Sequence, residues 1–374
     1  MIIRNGHVFL QGTGFVDTTV GTEGDRISSL GSGTGKELDA SGKYVLPGFV
    51  DIHMHGANNA DFCDGTRQAL STIGLYEAQQ GVTSFLGTCM ATYHDVLLRA
   101  FTAAGEFIEN PEPGAAVMRG INMEGPFLSK EKKGAHIEEC CIPFDKGLYE
   151  ELRAACRDHV LIFDICPEYD GAMDAIKEIS QYATVSLAHT SADYDLAKQA
   201  YEAGATHVTH IFNAMMPYNS RKPGLVGAAL DYASQVEMIC DGIHLHPSVL
   251  RTIFRLTGQD ERVCIISDSM RAAGLSDGVY ELGGQTVYVK SGKATLADGT
   301  IAGAAICQSE AFRRLISFGV PLEQAVMAAT HTPARAIRMD HEIGSIAPGM
   351  RADFTILNDD LTVYAVILGG EQIR

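Results

Sequence analysis

The sequence predicts an α/β protein: a (β/α)8 TIM-like barrel with a small β-sandwich domain formed from both chain ends. Eight short apolar runs alternate with stretches of helical periodicity, the pattern of a parallel sheet with crossover helices. Both ends of the chain have a different texture, short strands punctuated by turns. The 374 residues also exceed the roughly 250–300 at which one hydrophobic core stops growing, so a large unit and a small one are expected.

In the N-terminal part, residues 1–47, strand-like runs occur at Ile2-Ile3, His7 to Leu10, Val16 to Val20, Arg26-Ile27 and Tyr44 to Leu46. Residues 343–374 repeat the pattern in Ala352 to Leu357 and Val363 to Leu368, so the ends are expected to pair into one sandwich domain. The barrel, residues 48–342, opens after the break signal Pro47-Gly48. Its first strand leads to His55. Seven more are expected at Val82 to Gly87, Val117 to Met123, Val160 to Phe163, Val185 to Ala188, His207 to Ile211, Val236 to Cys240 and Val263 to Ile266. Two insertions interrupt the alternation: a polar loop from Pro126 to Pro143, and a β-hairpin near 280–300 with turn signals at Gly283-Gly284 and Ser291-Gly292. A doubly wound open sheet is the competing architecture.

An apolar fraction of 46% with 20% charged residues is ordinary for a soluble globular protein. The formal net charge of −17 excludes nucleic acid as the expected partner, because phosphate backbones call for basic patches. It also means that an anionic substrate needs specific local cations. Nine cysteines without a CxxC pair suggest reduced thiols, hence a cytoplasmic protein, and they read as small buried hydrophobes. The opening Met1 to Gly6 lacks the apolar core of a signal peptide, and no stretch approaches the ~20 apolar residues of a membrane span.

The chemistry is expected where barrel enzymes keep it, at the C-terminal ends of the strands. His53 and His55 are two apart on a strand, so they face the same side and can grip one cation. Strand three ends at Glu124, strand five at His189, strand seven at Asp241 to His244, and strand eight at Asp268. Strand six carries His207 and His210; on a regular strand their odd spacing sends them to opposite faces, so only one points inward, and His210 is nearer the rim. A lone strand-end histidine is ordinary, but several strands presenting His, Glu or Asp at equivalent positions suggest a shared site. Imidazole and carboxylate donors without thiolate suit Zn²⁺ or Fe²⁺ at a catalytic site with an open position. Asp268 can then accept a proton and deliver it to a leaving group.

The strand-end pattern resembles the amidohydrolase superfamily. Met123 to Phe127 with the Lys-Lys-Gly-Ala-His run to His136, His210 to Met215, Arg221 to Leu225, Asp241 to His244, Ser267 to Met270 and Gly344 to Gly349 together resemble, more narrowly, its N-acetylglucosamine-6-phosphate deacetylases. The resemblance implies that Glu124, His189 and His210 hold a divalent metal, most simply Zn, with Fe as the alternative. His53 and His55 imply a second ion bridged by Glu124, so one or two ions per subunit. His244 would polarise the acetyl carbonyl and Asp268 would be the general acid/base. His136, Asn213, Ala214, Arg221, Ile301, Ala302 and Gly303 would bind the amino-sugar phosphate, with Arg221 reaching the neighbouring subunit's site in a homodimer. Asn58-Asn59 and Arg271 depart from the usual pattern and bear on sugar preference. The galactosamine epimer is an alternative substrate. A cyclic-amide hydrolase is disfavoured because strand four has no lysine, and a catalytically dead sensor because ligands and base are all present.

Overall fold

The computed structural model describes residues 1–257 and 261–374. Eight strands form one parallel sheet in chain order: Phe49–Met54, Val82–Thr88, Val117–Met123, Val160–Ile165, Thr184–Leu187, His207–Val208, Gln235–Ile239 and Val263–Ile266. All eight expected runs are present as strands. Most are buried on both faces, which is why they read as continuous apolar runs rather than alternating ones.

Between the first and eighth strands closure relies on isolated bonds and side chains. The His53 carbonyl accepts from the Asp268 amide at 2.9 Å, and the Ser269 carbonyl accepts from the amides of His55 and Gly56. From the helix Gln308–Ser317, the buried Gln308 side chain donates to the carbonyls of Val50 and Ile265, both at 2.8 Å. This seam brings the first-strand histidines beside Asp268.

The chain ends pair as expected. Tyr44–Pro47 runs antiparallel to Phe354–Leu357 within an eight-stranded sheet that spans both ends. That sheet has its own apolar cluster, including Ile3, Val8, Val20, Val45, Phe354, Ile356 and Ile367. Two runs expected as separate strands are a single one, Ile2–Leu10: Asn5 takes a left-handed φ of 62° where the register shifts, so the strand continues through an irregularity. The insertion near 280–300 is a three-stranded antiparallel sheet, Gly278–Leu282, Gln285–Lys290 and Lys293–Thr295. The loop after strand three is less polar in its setting than in its composition. Phe127, Leu128, Ser129 and His136 are buried in it.

Candidate active site

Glu124 lies at the centre of the site and is 2% exposed. Its two carboxylate oxygens face different pairs of imidazoles. Oε1 lies 3.0 Å from His189 Nε2 and 2.9 Å from His210 Nε2; Oε2 lies 3.4 Å from His53 Nε2 and 3.3 Å from His55 Nε2. Asp268 Oδ1 is 3.2 Å from His55 Nε2 and 3.7 Å from His53 Nε2. Residues from strands one, three, five, six and eight therefore meet around one carboxylate.

The backbone makes this possible by leaving the strands abruptly. His189, His210 and Asp268 have φ of 42°, 26° and 47°, a left-handed conformation that costs a non-glycine residue about 1–2 kcal/mol. Such strain concentrates at functional sites. It also corrects one expectation. The sixth strand ends at Val208, so pleat parity no longer governs His210, and both histidines turn inward. His207 Nε2 lies 3.0 Å from Glu237 Oε1, while His210 reaches Glu124.

Hydrogen bonds at Nδ1 sort the histidines by the atom left free at Nε2. His189 Nδ1 donates to the Lys132 carbonyl at 2.7 Å, His55 Nδ1 to the Thr88 carbonyl at 3.2 Å, and His53 Nδ1 to the Glu237 carboxylate at 2.9 Å. A carbonyl can only accept, so at His189 and His55 a proton sits on Nδ1 and Nε2 is the ring atom turned toward Glu124. His136 is the reverse. Its Nδ1 accepts the Ala91 amide at 3.0 Å, so its Nε2 carries the proton. Glu124, His136 and His189 are close enough to share an ion, as are His53, His55 and Glu124. The tautomer makes His136 a donor to ligand rather than a ligand to metal.

Electrostatics and geometry fit a cation. Burial pushes the His189 imidazole down to about 4, and His136 beside it adds to the effect, so His189 is neutral. Burial also opposes ionisation of Glu124, yet His53 and His136 hold its carboxyl well below the usual range. Against the penalty of burial, Glu124 and Glu237 raise His53 well above its ordinary value. Carboxylates that attract protons onto these imidazoles equally attract a metal ion, which would release those protons on binding. Among the described residues, His53 Nε2 is buried without a hydrogen-bond partner.

A cavity of about 250 Å³ opens above this cluster, lined among others by His55, His136, His244, Asn213, Ala214 and Asp268. His244 enters from the loop after strand seven. Its Nδ1 lies 2.7 Å from Asp241 Oδ2, and Asp241 Oδ1 accepts the amides of Ile243 and His244, both at 2.8 Å. Burial works against a charged His244, but the Asp241 hydrogen bond outweighs it and raises the imidazole above 6.5. Asp268 is held below the usual carboxylate range, because the His55 hydrogen bond and the nearby imidazoles overcome its burial.

Of the remaining expected residues, Ile301 and Gly303 line the cavity, whereas Ala302 is fully buried with its amide donating to the Ala294 carbonyl. Arg221 is exposed in the loop after Asn213, its amide bonded to Asn219 Oδ1. Arg271 is committed elsewhere. Its guanidinium holds Asp64 Oδ1 at 2.9 Å and the carbonyls of Asn59 and Glu281, both at 3.0 Å. Asn58 and Asn59 take positive φ in the turn that this clamp secures. Sequence reasoning missed Glu237, although a carboxylate inside the apolar run Val236 to Cys240 was a legible signal. It also assigned no role to Asp241. All nine cysteines are free and buried.

Comparison with known proteins agrees with the geometry. The amidohydrolase family profile matches residues 44–373. The N-acetylglucosamine-6-phosphate deacetylase of Bacillus subtilis (strain 168) is 34% identical over 375 residues, covering 99% of this chain and 93% of that protein. An N-acetylgalactosamine-6-phosphate deacetylase of Escherichia coli O157:H7 is 31% identical, covering 90% of this chain and 88% of that one. Among solved structures, the Mycobacterium smegmatis N-acetyl-D-glucosamine-6-phosphate deacetylase, an aspartate-to-alanine mutant in complex with N-acetyl-D-glucosamine-6-phosphate, has a TM-score of 0.92 at 32% identity and covers 100% and 99% of the two chains. The Pasteurella multocida N-acetylglucosamine-6-phosphate deacetylase has a TM-score of 0.93 at 28% identity, covering 99% and 98%.

Proposed function

The chain belongs to the amidohydrolase family, and on that premise we propose that it removes acetate from N-acetyl-D-glucosamine 6-phosphate to give D-glucosamine 6-phosphate, in amino-sugar catabolism. The observation that carries this reading is the convergence on Glu124 of histidines from three other strands, with Asp268 and His244 lining the same cavity.

Glu124, His189 and His210 would hold a divalent ion, most simply Zn, with Fe as the alternative. The division of Glu124 between two histidine pairs supports a second ion on His53 and His55. Bound there, a divalent cation activates water near neutral pH and polarises a carbonyl. Asp268, a carboxylate at working pH, takes the proton of the attacking water as its oxygen bonds to the acetyl carbon. It then delivers that proton to the sugar nitrogen as the C–N bond breaks. His244, charged and oriented by Asp241, donates from Nε2 to the acetyl oxygen, on which negative charge develops.

His136 donates from Nε2 to the substrate. Asn213, Ala214, Ile301 and Gly303 form the sugar pocket, with Ala302 packed behind it. Arg221 binds phosphate with its paired donors in the site of a neighbouring subunit, so the working form is a homodimer in the cytoplasm. On a chain of net charge −17, an anion needs such a cation.

The galactosamine relative makes the epimer the second reading. Acetate release from both N-acetyl-hexosamine 6-phosphates, with and without chelator and alongside metal analysis, tests both. Metal-dependent release favouring the glucosamine compound is expected. Release unaffected by metal removal counts against the mechanism, and preference for the galactosamine compound selects the second reading.

A further inference from the structure

We infer that Glu237 is a positioning residue that creates the second metal position, by taking the hydrogen bond from His53 Nδ1 and so leaving Nε2, which faces Glu124, as the atom offered to an ion. This rests on the two-ion reading above. Glu237 sits in the seventh barrel strand, Gln235–Ile239, and is fully buried below the cavity. Its Oε2 takes His53 Nδ1 at 2.9 Å and the amide of His210 at 3.2 Å; its Oε1 takes His207 Nε2 at 3.0 Å. One carboxylate thus ties a ring from one half of the site to the backbone of a residue in the other half.

The partners at Nδ1 differ in kind. His55 and His189 donate to backbone carbonyls, fixed by the fold, whereas His53 donates to an ionised side chain. An imidazole donating to carboxylate is a more basic ligand with a fixed ring orientation, and loss of such a partner typically costs about 10–100-fold in metal affinity. His207, outside the metal cluster, supports Glu237 from the opposite side and keeps its charge from being buried unpaired. Among the described residues, His53 Nε2 has no hydrogen-bond partner and lies 3.4 Å from Glu124, so the ring is aimed at a position that none of these groups satisfies.

The test compares the parent with Glu237→Leu, which removes the acceptor, and Glu237→Gln, whose amide oxygen can still accept from His53 and His210 while its NH2 turns to His207. Bound zinc is counted after equilibration, and each ion's affinity is measured by chelator competition, with folding followed by Tm. The parent should bind two ions. Glu237→Leu should keep one ion at an affinity close to the parent's tighter ion and bind the other about 10–100-fold more weakly, and Glu237→Gln should bind both, the second weakened less than in Glu237→Leu. A Glu237→Leu protein that keeps both ions at parental affinity overturns the inference. A parent that binds only one ion overturns the two-ion reading and this role with it. If Glu237→Leu does not fold, nitrogen-15 spectra of the zinc-loaded parent decide, with His53 identified by the signal lost in His53→Gln. A proton on Nδ1 and none on Nε2 is expected, and a proton on Nε2 overturns the inference.

Discussion

At the floor of the cavity, Glu124, His53 and His55 are at most 3% exposed, and the Nδ1 of each ring donates to a buried partner. At the rim, Arg221 and Lys222 are exposed, and small residues such as Ala214 and Gly303 are among those lining the cavity. The floor fixes atoms through charge and hydrogen bonds in a buried setting, where a misplaced group leaves an unpaired buried polar atom. The rim is assembled from loops that tolerate change. On this division bond-breaking power belongs to the floor, and discrimination between substrates belongs to the rim.

Four substitutions sharpen or break the division. Asp268→Asn strikes the floor and should lower kcat by about 10²–10⁴-fold while N-acetylglucosamine 6-phosphate still binds by calorimetry. Unchanged turnover would remove Asp268 from proton transfer. Arg221→Ala strikes the rim. It should raise KM for the phosphorylated sugar by about 10-fold or more, the loss of a charged hydrogen bond, with kcat largely kept. Mixing the Asp268→Asn and Arg221→Ala proteins after dissociation should restore activity, because a mixed dimer contains one site with an intact aspartate and an intact arginine from across the interface. No restoration would place Arg221 outside the neighbouring site.

Asp241→Asn falls between the two regions and should change the pH profile. Burial opposes the charged form, but the Asp241 hydrogen bond raises His244 above its ordinary value, so its imidazolium is present at low pH and is lost as pH rises past the raised value, giving kcat/KM an alkaline limb. Removing the Asp241 charge should move that limb to lower pH; a limb that stays put would separate it from His244. The smallest effect is expected from Arg271→Ala. It unties Asp64, Asn59 and Glu281, costing on the order of 1 kcal/mol in thermal unfolding and leaving kcat near the parent's, because no floor atom depends on it.

Much of this was legible in the sequence because the barrel strands are apolar on both faces and their last residues are not. Glu124, His189, His244 and Asp268 stand where apolar runs stop, and the structure brings all four to one cavity. What sequence could not give is backbone conformation. The left-handed turn at His210 frees it from the parity that its spacing from His207 implied. Partners were equally hidden: nothing in the spacing of Arg271 says that its guanidinium is bound to Asp64 rather than free for substrate. Glu237 was overlooked for a different reason. It lies inside a strand instead of at its end, and reading only strand ends passes over residues that act from beneath.

The pairing of Tyr44–Pro47 with Phe354–Leu357 bears on how the molecule is made. The Phe49 amide, which opens the barrel, bonds to Thr355 Oγ1 from 306 residues further along. During synthesis the early strands must wait beside the ribosome with Val8, Val20 and Val45 unshielded until the last segment emerges to cover them. A nascent chain stalled between Met54 and Phe354 would therefore carry the residues of the first barrel strand beside an open, sticky edge.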